Sequence, residues 1–250
     1  MAGQLPANMT ETAVVLVRLP GVGLKSWPVD SSLAEVPVEA AEPIRQFYSW
    51  PGKRNYDGRW WSSTLGRHVV FESLLERDAL MMADFSTEVV AVCAQPLAFL
   101  WPRGTPHATS HVPDFFLRLS CGDGRLVDVK HVDAVAGTRS QIALTAAACA
   151  QIGWQYKVFT GTDCAPAMDR NVRWLSGYRH DRYRAPRSVL QAIDHAFRRP
   201  IALCEGVSRA AACCTSSVGA MLSHVYHCLW AHHLRADLSA PLTMMTTVSR

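Results

Sequence analysis

Apolar positions along this chain follow two periods, and the places where the period changes divide it into elements. Thr12–Leu19 reads as a strand, after which Pro20 and Gly21 interrupt. The rest of residues 1–45 carries no clear pattern. Gly21-Val22-Gly23 is not followed by helical spacing, so it is not read as a nucleotide loop. From His68 to Phe85 the residues Phe71, Leu74, Leu75 and Met82 recur at intervals of three to four, which predicts a helix. Glu72 and Glu76, four apart, share another face of it. Short strand-like runs follow. These are Glu88–Ala94, then Gln95–Trp101 after a Gln-Pro corner, then His111–Ser120 and Arg125–Val132. The last two flank Cys121-Gly122-Asp123-Gly124, a hairpin turn signal. Alanine-rich Thr138–Ile152 predicts a helix and Trp154–Thr160 another strand. Helix, several strands, helix, strand is the order of an α/β domain with a mixed sheet flanked by helices.

After Gly161 the character changes. Residues 169–199 read as helical and basic, broken near Gly177 and Pro186, and 207–235 as helical again. Asp237–Val248 alternates polar and apolar positions, as a hairpin or wing would. Two domains are therefore expected, residues 1–162 and a smaller helical one at 163–250.

Charge sharpens this division. The chain of 250 residues carries a formal charge of +4, yet residues 170–199 hold eight arginines against Asp181 and Asp194. That stretch alone is +6, which suits an anionic partner. Residues 46–67 mix Tyr48, Trp50, Tyr56, Trp60 and Trp61 with Lys53, Arg54, Arg59 and Arg67. Such a mixture either stacks on bases and touches phosphates or packs its aromatics on the core. The eight cysteines contain no C-x-x-C pair, which argues against a zinc ribbon or finger, and are read as reduced and mostly buried. His224, His227, His232, His233 and Cys228 lie in an apolar helical neighbourhood and are read as core and surface residues rather than metal ligands. No run of about eighteen apolar residues suggests a membrane span, so a cytoplasmic protein is expected.

Three pieces carry candidate chemistry. Pro113-Asp114 opens one hairpin strand, and Asp128-Val129-Lys130 lies in the next, with thirteen residues between the aspartates. Positions two apart on a strand share a face, so Asp128 and Lys130 project together and the turn brings Asp114 beside them. Glu72 or Glu76 can come from the preceding helix. Carboxylates, a backbone carbonyl and water suit Mg²⁺, and a lysine beside them can orient water or stabilise developing charge on phosphorus. The competing reading is that Asp114 and Asp128 are solvated strand ends and the glutamates a wet helix face. Its difficulty is Asp128, which sits inside Leu126-Val127-Asp128-Val129-Lys130, where unpaired charge is costly to bury.

Residues about 46–132 resemble the TnsA-like heteromeric transposase endonuclease subunits of bacterial transposons. The resemblance rests on Phe71-Glu72-Ser73-Leu74-Leu75-Glu76-Arg77-Asp78, Asp84-Phe85, Gln95-Pro96, Val112-Pro113-Asp114-Phe115 and Val127-Asp128-Val129-Lys130. It implies a restriction-endonuclease-like PD-(D/E)xK core followed by a smaller, winged-helix-like helical domain. It further implies a nuclease that hydrolyses one strand at transposon ends. Under it Glu76, Asp114 and Asp128 hold Mg²⁺, or Mn²⁺ in its place, with the Val129 carbonyl as a further ligand. Lys130 assists the water or phosphate. Glu76 is the better match to the family's helix carboxylate, with Glu72 as the alternative. Expected partners are double-stranded DNA, a separate transposase subunit and an ATPase regulator, in the nucleoid. The rival expectations are a free-standing restriction or repair nuclease and a degenerate nuclease fold kept for binding.

Overall fold

The computed structural model describes residues 12–45, 56–102 and 108–250, which fall into two units, Met1–Gly161 and Thr162–Arg250. The first unit is mixed α/β. It holds β1 (Val14–Leu19), β2 (Gly23–Pro28), β3 (Gly58–Ser62), β4 (Arg67–Phe71), α1 (Leu74–Phe85), β5 (Val89–Ala94), β6 (Leu97–Trp101), β7 (Thr109–His111), β8 (Phe115–Leu119), β9 (Gly124–Val129), α2 (Val132–Val135), α3 (Arg139–Ile152) and β10 (Gln155–Phe159). One sheet runs β2-β1-β6-β7 and is antiparallel throughout. The second runs β10-β9-β8-β5. Here β8 pairs antiparallel with both β5 and β9, and β10 lies parallel to β9. A parallel neighbour cannot be reached by a hairpin, and α3 makes the crossover.

Two proline corners move the chain between these sheets. β5 belongs to the second sheet and β6 to the first, with Gln95-Pro96 between them; β7 and β8 change sheet across Val112-Pro113-Asp114. Proline has no N–H with which to continue a ladder, so each ladder stops there. The expected single strand His111–Ser120 is thereby split. The corners are tied together, because the Gln95 N–H donates to the Asp114 carbonyl at 2.8 Å. Apolar side chains of both sheets and α3 then meet in one core. It includes Val15, Val17, Phe99, Phe116, Leu126 and Ala148.

The helix expected from His68 starts instead at Leu74. Val69 and Val70 are β-branched, and β4 pairs with β3 in a hairpin, Trp60 opposite Val69. Ser73 then caps α1: its Oγ accepts from the Glu76 N–H at 3.1 Å. The buried stripe of α1 is Ala79, Leu80, Met81 and Asp84, while Leu74 is 45% exposed. A count of apolar positions misses this stripe because one member is an acid. Buried Asp84 accepts from Trp60 Nε1 (3.0 Å), Ser62 Oγ (2.8 Å) and the backbone N–H groups of Ser63 and Thr64 (3.0 and 2.9 Å). It fastens the β3–β4 hairpin to α1.

The second unit contains α4 (Pro166–Leu175), α5 (Arg187–Ala196), β11 (Ile201–Ala202), α6 (Leu203–Cys214), α7 (Val218–Trp230), β12 (Arg235–Ala236) and β13 (Thr247–Ser249). The breaks expected at Gly177 and Pro186 fall between α4 and α5. The single helix expected over 207–235 is two, since Thr215 is left-handed (φ +51°) and Ser217 caps a new helix through the Ala220 N–H. The Asp237–Val248 stretch does not alternate as strand throughout; it is mostly the long loop of an antiparallel pair, β12 with β13. Residues 237–246 form a loop, and β13 pairs with both β11 and β12.

Removing the Asp84 carboxylate strands several buried donors at once. Asp84→Ala should cost roughly 3 kcal/mol of stability, and Asp84→Asn less, measured by urea unfolding. Equal stability of Asp84→Ala and wild type would mean the hairpin is not fastened this way.

Candidate active site

The β8–β9 hairpin pairs Phe115 with Val127, so the register sets Asp114 across from Asp128 at the mouth of the hairpin. Asp114 is fixed at two points. Its carbonyl accepts from Gln95, and its Oδ2 accepts from the Val129 N–H at 2.7 Å. Burial pushes its carboxyl up to about 6 against the pull of the Val129 hydrogen bond, and the Asp128 charge adds to the rise.

Asp128 continues the Leu126 side of β9, which faces the shared core, and its side chain is fully buried. It is not left unpaired. His111 Nε2 lies 2.9 and 2.8 Å from its two oxygens, and the Tyr156 hydroxyl donates to Oδ2 at 2.5 Å. The Gln141 amide lies 2.8 Å from His111 Nδ1. Since the carboxylate accepts, Nε2 carries the proton; the Gln141 NH₂ donates to the other nitrogen. Burial opposes the Asp128 charge, but the His111 hydrogen bond, with Tyr156 and Lys130 behind it, outweighs it. Together they hold the carboxyl below its ordinary range. Burial and the Asp128 charge together drive the Tyr156 hydroxyl well above the usual phenol range.

Glu76 sits in the first turn of α1, where its carboxylate accepts from the Glu72 N–H (2.7 Å) and Ser73 Oγ (3.2 Å). Together with the Ser73 cap this is a variant of the capping box whose sequence signature is Ser-x-x-Glu, with the glutamate reaching the N–H one residue before the cap. Burial pushes Glu76 up to about 7, with Asp114 and Glu72 adding to the rise. Glu72 itself lies ahead of the helix rather than on its face, and pairs with Arg45 at 3.1 Å. Lys130 is half-buried, and its N–H donates to the Phe159 carbonyl at 3.0 Å. That bond extends the β9–β10 pairing by one residue, so Lys130 keeps the strand alternation and shares the Asp128 side.

Glu76, Asp114, Asp128 and Lys130 thus gather electrostatically at one end of the second sheet. Among the described residues no three His, Cys, Asp or Glu side chains converge on one ion position. Asp128 and Glu76 each have both oxygens engaged by protein donors, Asp128 by the larger number. No family model matches the chain, and no curated protein matches it either. Sequence reasoning missed His111, Gln141 and Tyr156. The signal available was Asp128 itself, since a carboxylate inside an apolar strand demands donors from its neighbours.

Of the aromatic and basic segment, Tyr48, Trp50, Lys53 and Arg54 lie outside the described residues. Trp60 is buried against Asp84 and serves packing. The cysteines are less uniformly buried than expected. Cys93, Cys149 and Cys228 are buried, with thiols pushed up to about 12 by burial, but Cys121 and Cys213 are exposed.

Removing His111 should leave a buried carboxylate with one donor fewer. His111→Ala should cost about 3 kcal/mol or more, and adding Asp128→Asn should recover part of it. A double variant as unstable as the sum of the two single changes would show that the pair is not coupled.

Glu76 and Asp114 also set a pH dependence. Their folded pKa values, about 7 and about 6, lie above the ordinary 4.5 and 3.8, so the folded state holds protons more tightly than the unfolded chain. Their contribution to stability is present below the ordinary carboxylate range and is lost as pH rises through about 6 and about 7. The melting temperature without divalent cations should fall over that window, and fall less in Glu76→Gln. A parallel fall in both proteins would remove Glu76 from this account.

Proposed function

We propose that this chain is a metal-dependent DNA endonuclease of the PD-(D/E)xK type, serving as the TnsA-like nuclease subunit of a heteromeric transposase. The observation that carries the reading is Asp114. It is a half-buried, raised carboxyl held at a proline corner, with Glu76 and Asp128 close enough to perturb it or be perturbed by it. The order α1, β5, β8, β9, α3, β10, with strands laid out β10-β9-β8-β5, supports a restriction-endonuclease-like core. The helices and small sheet of the second unit support a DNA- or partner-binding role of winged-helix type.

Mg²⁺, or Mn²⁺ in its place, would lower the pKa of a bound water and neutralise charge on the scissile phosphate. The donor set fits such an ion. Hard carboxylate oxygens are gathered there, two of them on groups that burial holds near neutrality, where a cation is the natural partner. Mg²⁺ commonly takes one or two protein carboxylates and completes its shell with water and phosphate oxygens. Glu76 and Asp114, with the Val129 carbonyl, would hold it. Asp128, fully buried and bonded to His111 and Tyr156, would supply fixed negative charge beside Asp114. Lys130 would orient the attacking water or meet charge developing on the phosphate oxygens. Double-stranded DNA is the substrate. A second transposase subunit would cut and join the other strand, under an ATPase regulator, in the cytoplasmic nucleoid.

The test is plasmid cleavage with Mg²⁺, with and without the partner transposase. The chain alone should be nearly inactive and should cut once assembled on DNA, because cleavage then depends on docking geometry. Asp114→Ala should abolish cutting, Lys130→Ala should remove most of it, and Glu76→Gln should cost roughly a hundredfold or more. Glu72→Gln should have little effect, since Glu72 lies before the helix and faces Arg45. Efficient cutting by the lone protein would favour a free-standing nuclease. No cutting in either setting, with no metal binding by calorimetry, would favour a degenerate binding fold.

A further inference from the structure

The second unit carries an aromatic surface that phosphodiester chemistry does not use. Trp174 lies in the last turn of α4 and is 58% exposed. Among the described residues of 166–199 it is the only large hydrophobic side chain so exposed. Its ring centroid is 6.3 Å from those of Tyr178 and Tyr226; Tyr178 in turn lies 4.9 Å from Tyr226 and 5.1 Å from Tyr183. The segment that presents Tyr178 and Tyr183 is held down on α7. His227 Nδ1 donates to the Tyr178 carbonyl and His224 Nδ1 to the Tyr183 carbonyl, each at 2.8 Å. The indole is therefore open on a support already in place, and stacking on it requires little further ordering.

Arginines surround this support. Arg170 is exposed one turn before Trp174, hence on the same helix face. Arg182 is exposed with its guanidinium 4.8 Å from the Tyr183 ring centroid, and Arg184 is exposed next to Tyr183. We propose that this surface binds single-stranded nucleic acid, with an unpaired base stacked on Trp174 and the phosphates following Arg170, Arg182 and Arg184. Charge selects the partner class, because the stretch from 170 to 199 is +6. The lone indole selects the strand state: in a duplex the base faces are already stacked, and only an unpaired base offers one. A protein partner would find, among the described residues of 166–199, no second large apolar side chain so exposed to anchor on. The inference shares the nucleic-acid substrate of the nuclease reading but not its metal site.

The test uses the full chain without divalent cations, so that nothing is cleaved. Fluorescence anisotropy would compare a labelled single strand of about 16 nucleotides with the duplex of that length. The single strand should bind more tightly. Trp174→Leu should weaken it about tenfold and leave the duplex unaffected, while Trp174→Phe, which keeps a π face, should bind nearly as wild type. Arg182→Gln with Arg184→Gln should flatten the salt dependence for the single strand. Each variant is melted first. Independently of any variant, photocrosslinking of the wild-type chain to a bromodeoxyuridine strand should map to Trp174 or Tyr178. Unchanged affinity in Trp174→Leu, crosslinks only elsewhere, or equal Trp174-dependent binding of a poly-glutamate peptide would overturn the proposal. Trp174-dependent binding by a chain that never cleaves would remove the nuclease reading alone, and cleavage without it would remove this inference alone.

Discussion

A fully buried aspartate governs the first unit. Asp128 can be charged inside the core because donors reach it from two directions, His111 on β7 and Tyr156 on β10, with Gln141 on α3 bonded to His111 behind it. β7 belongs to one sheet and β9 and β10 to the other, so the network does more than satisfy a carboxylate. It sets which edge of the first sheet meets which end of the second. Hydrophobic contact alone tolerates sliding, because apolar area is nearly indifferent to register. A charged hydrogen-bonded cluster is not indifferent, since every misalignment leaves a buried polar group without its partner.

Much of this architecture was legible in the sequence. Strands β1, β5, β6, β9 and β10 and helix α3 announce themselves by apolar period and by the turn at Cys121–Gly124. The misreadings share a cause, which is that local pattern carries no information about partners. Val69 and Val70 look like part of a helical stripe until β3 is there to pair with them. His111 and Phe115 look like one strand until Pro113 sends them to different sheets. The buried stripe of α1 contains Asp84, whose donors lie on a distant hairpin.

The candidate site was legible in its members and less so in their roles. Asp114 and Asp128 lie across from each other, as hairpin geometry predicts. Their environments nonetheless push them in opposite directions: Asp114 is raised by burial, and Asp128 is lowered by its donors. No spacing rule separates two aspartates in this way. Glu76 was read for its charge, yet the same Ser-x-x-Glu spacing also makes it a helix cap. Both roles act on one atom group, so the start of the helix and the position of the carboxylate are set together.

Gln95 stands between the two sheets with φ +46°, a backbone region that side chains larger than glycine enter only at a cost of about 1–3 kcal/mol. Its own bonds hold it there. The Gln95 N–H donates to Asp114, its carbonyl accepts from Ile44, and its Oε1 accepts from Arg45 at 3.4 Å. The corner behaves like a sprung latch. A β-branched residue would adopt the bend only at greater strain, glycine would adopt it without tension, and either would change how firmly Asp114 is presented. Mutational drift in this protein therefore has a narrow gate at a position with no chemistry of its own, and the segment at 44–45, far away in sequence, helps to keep that gate shut.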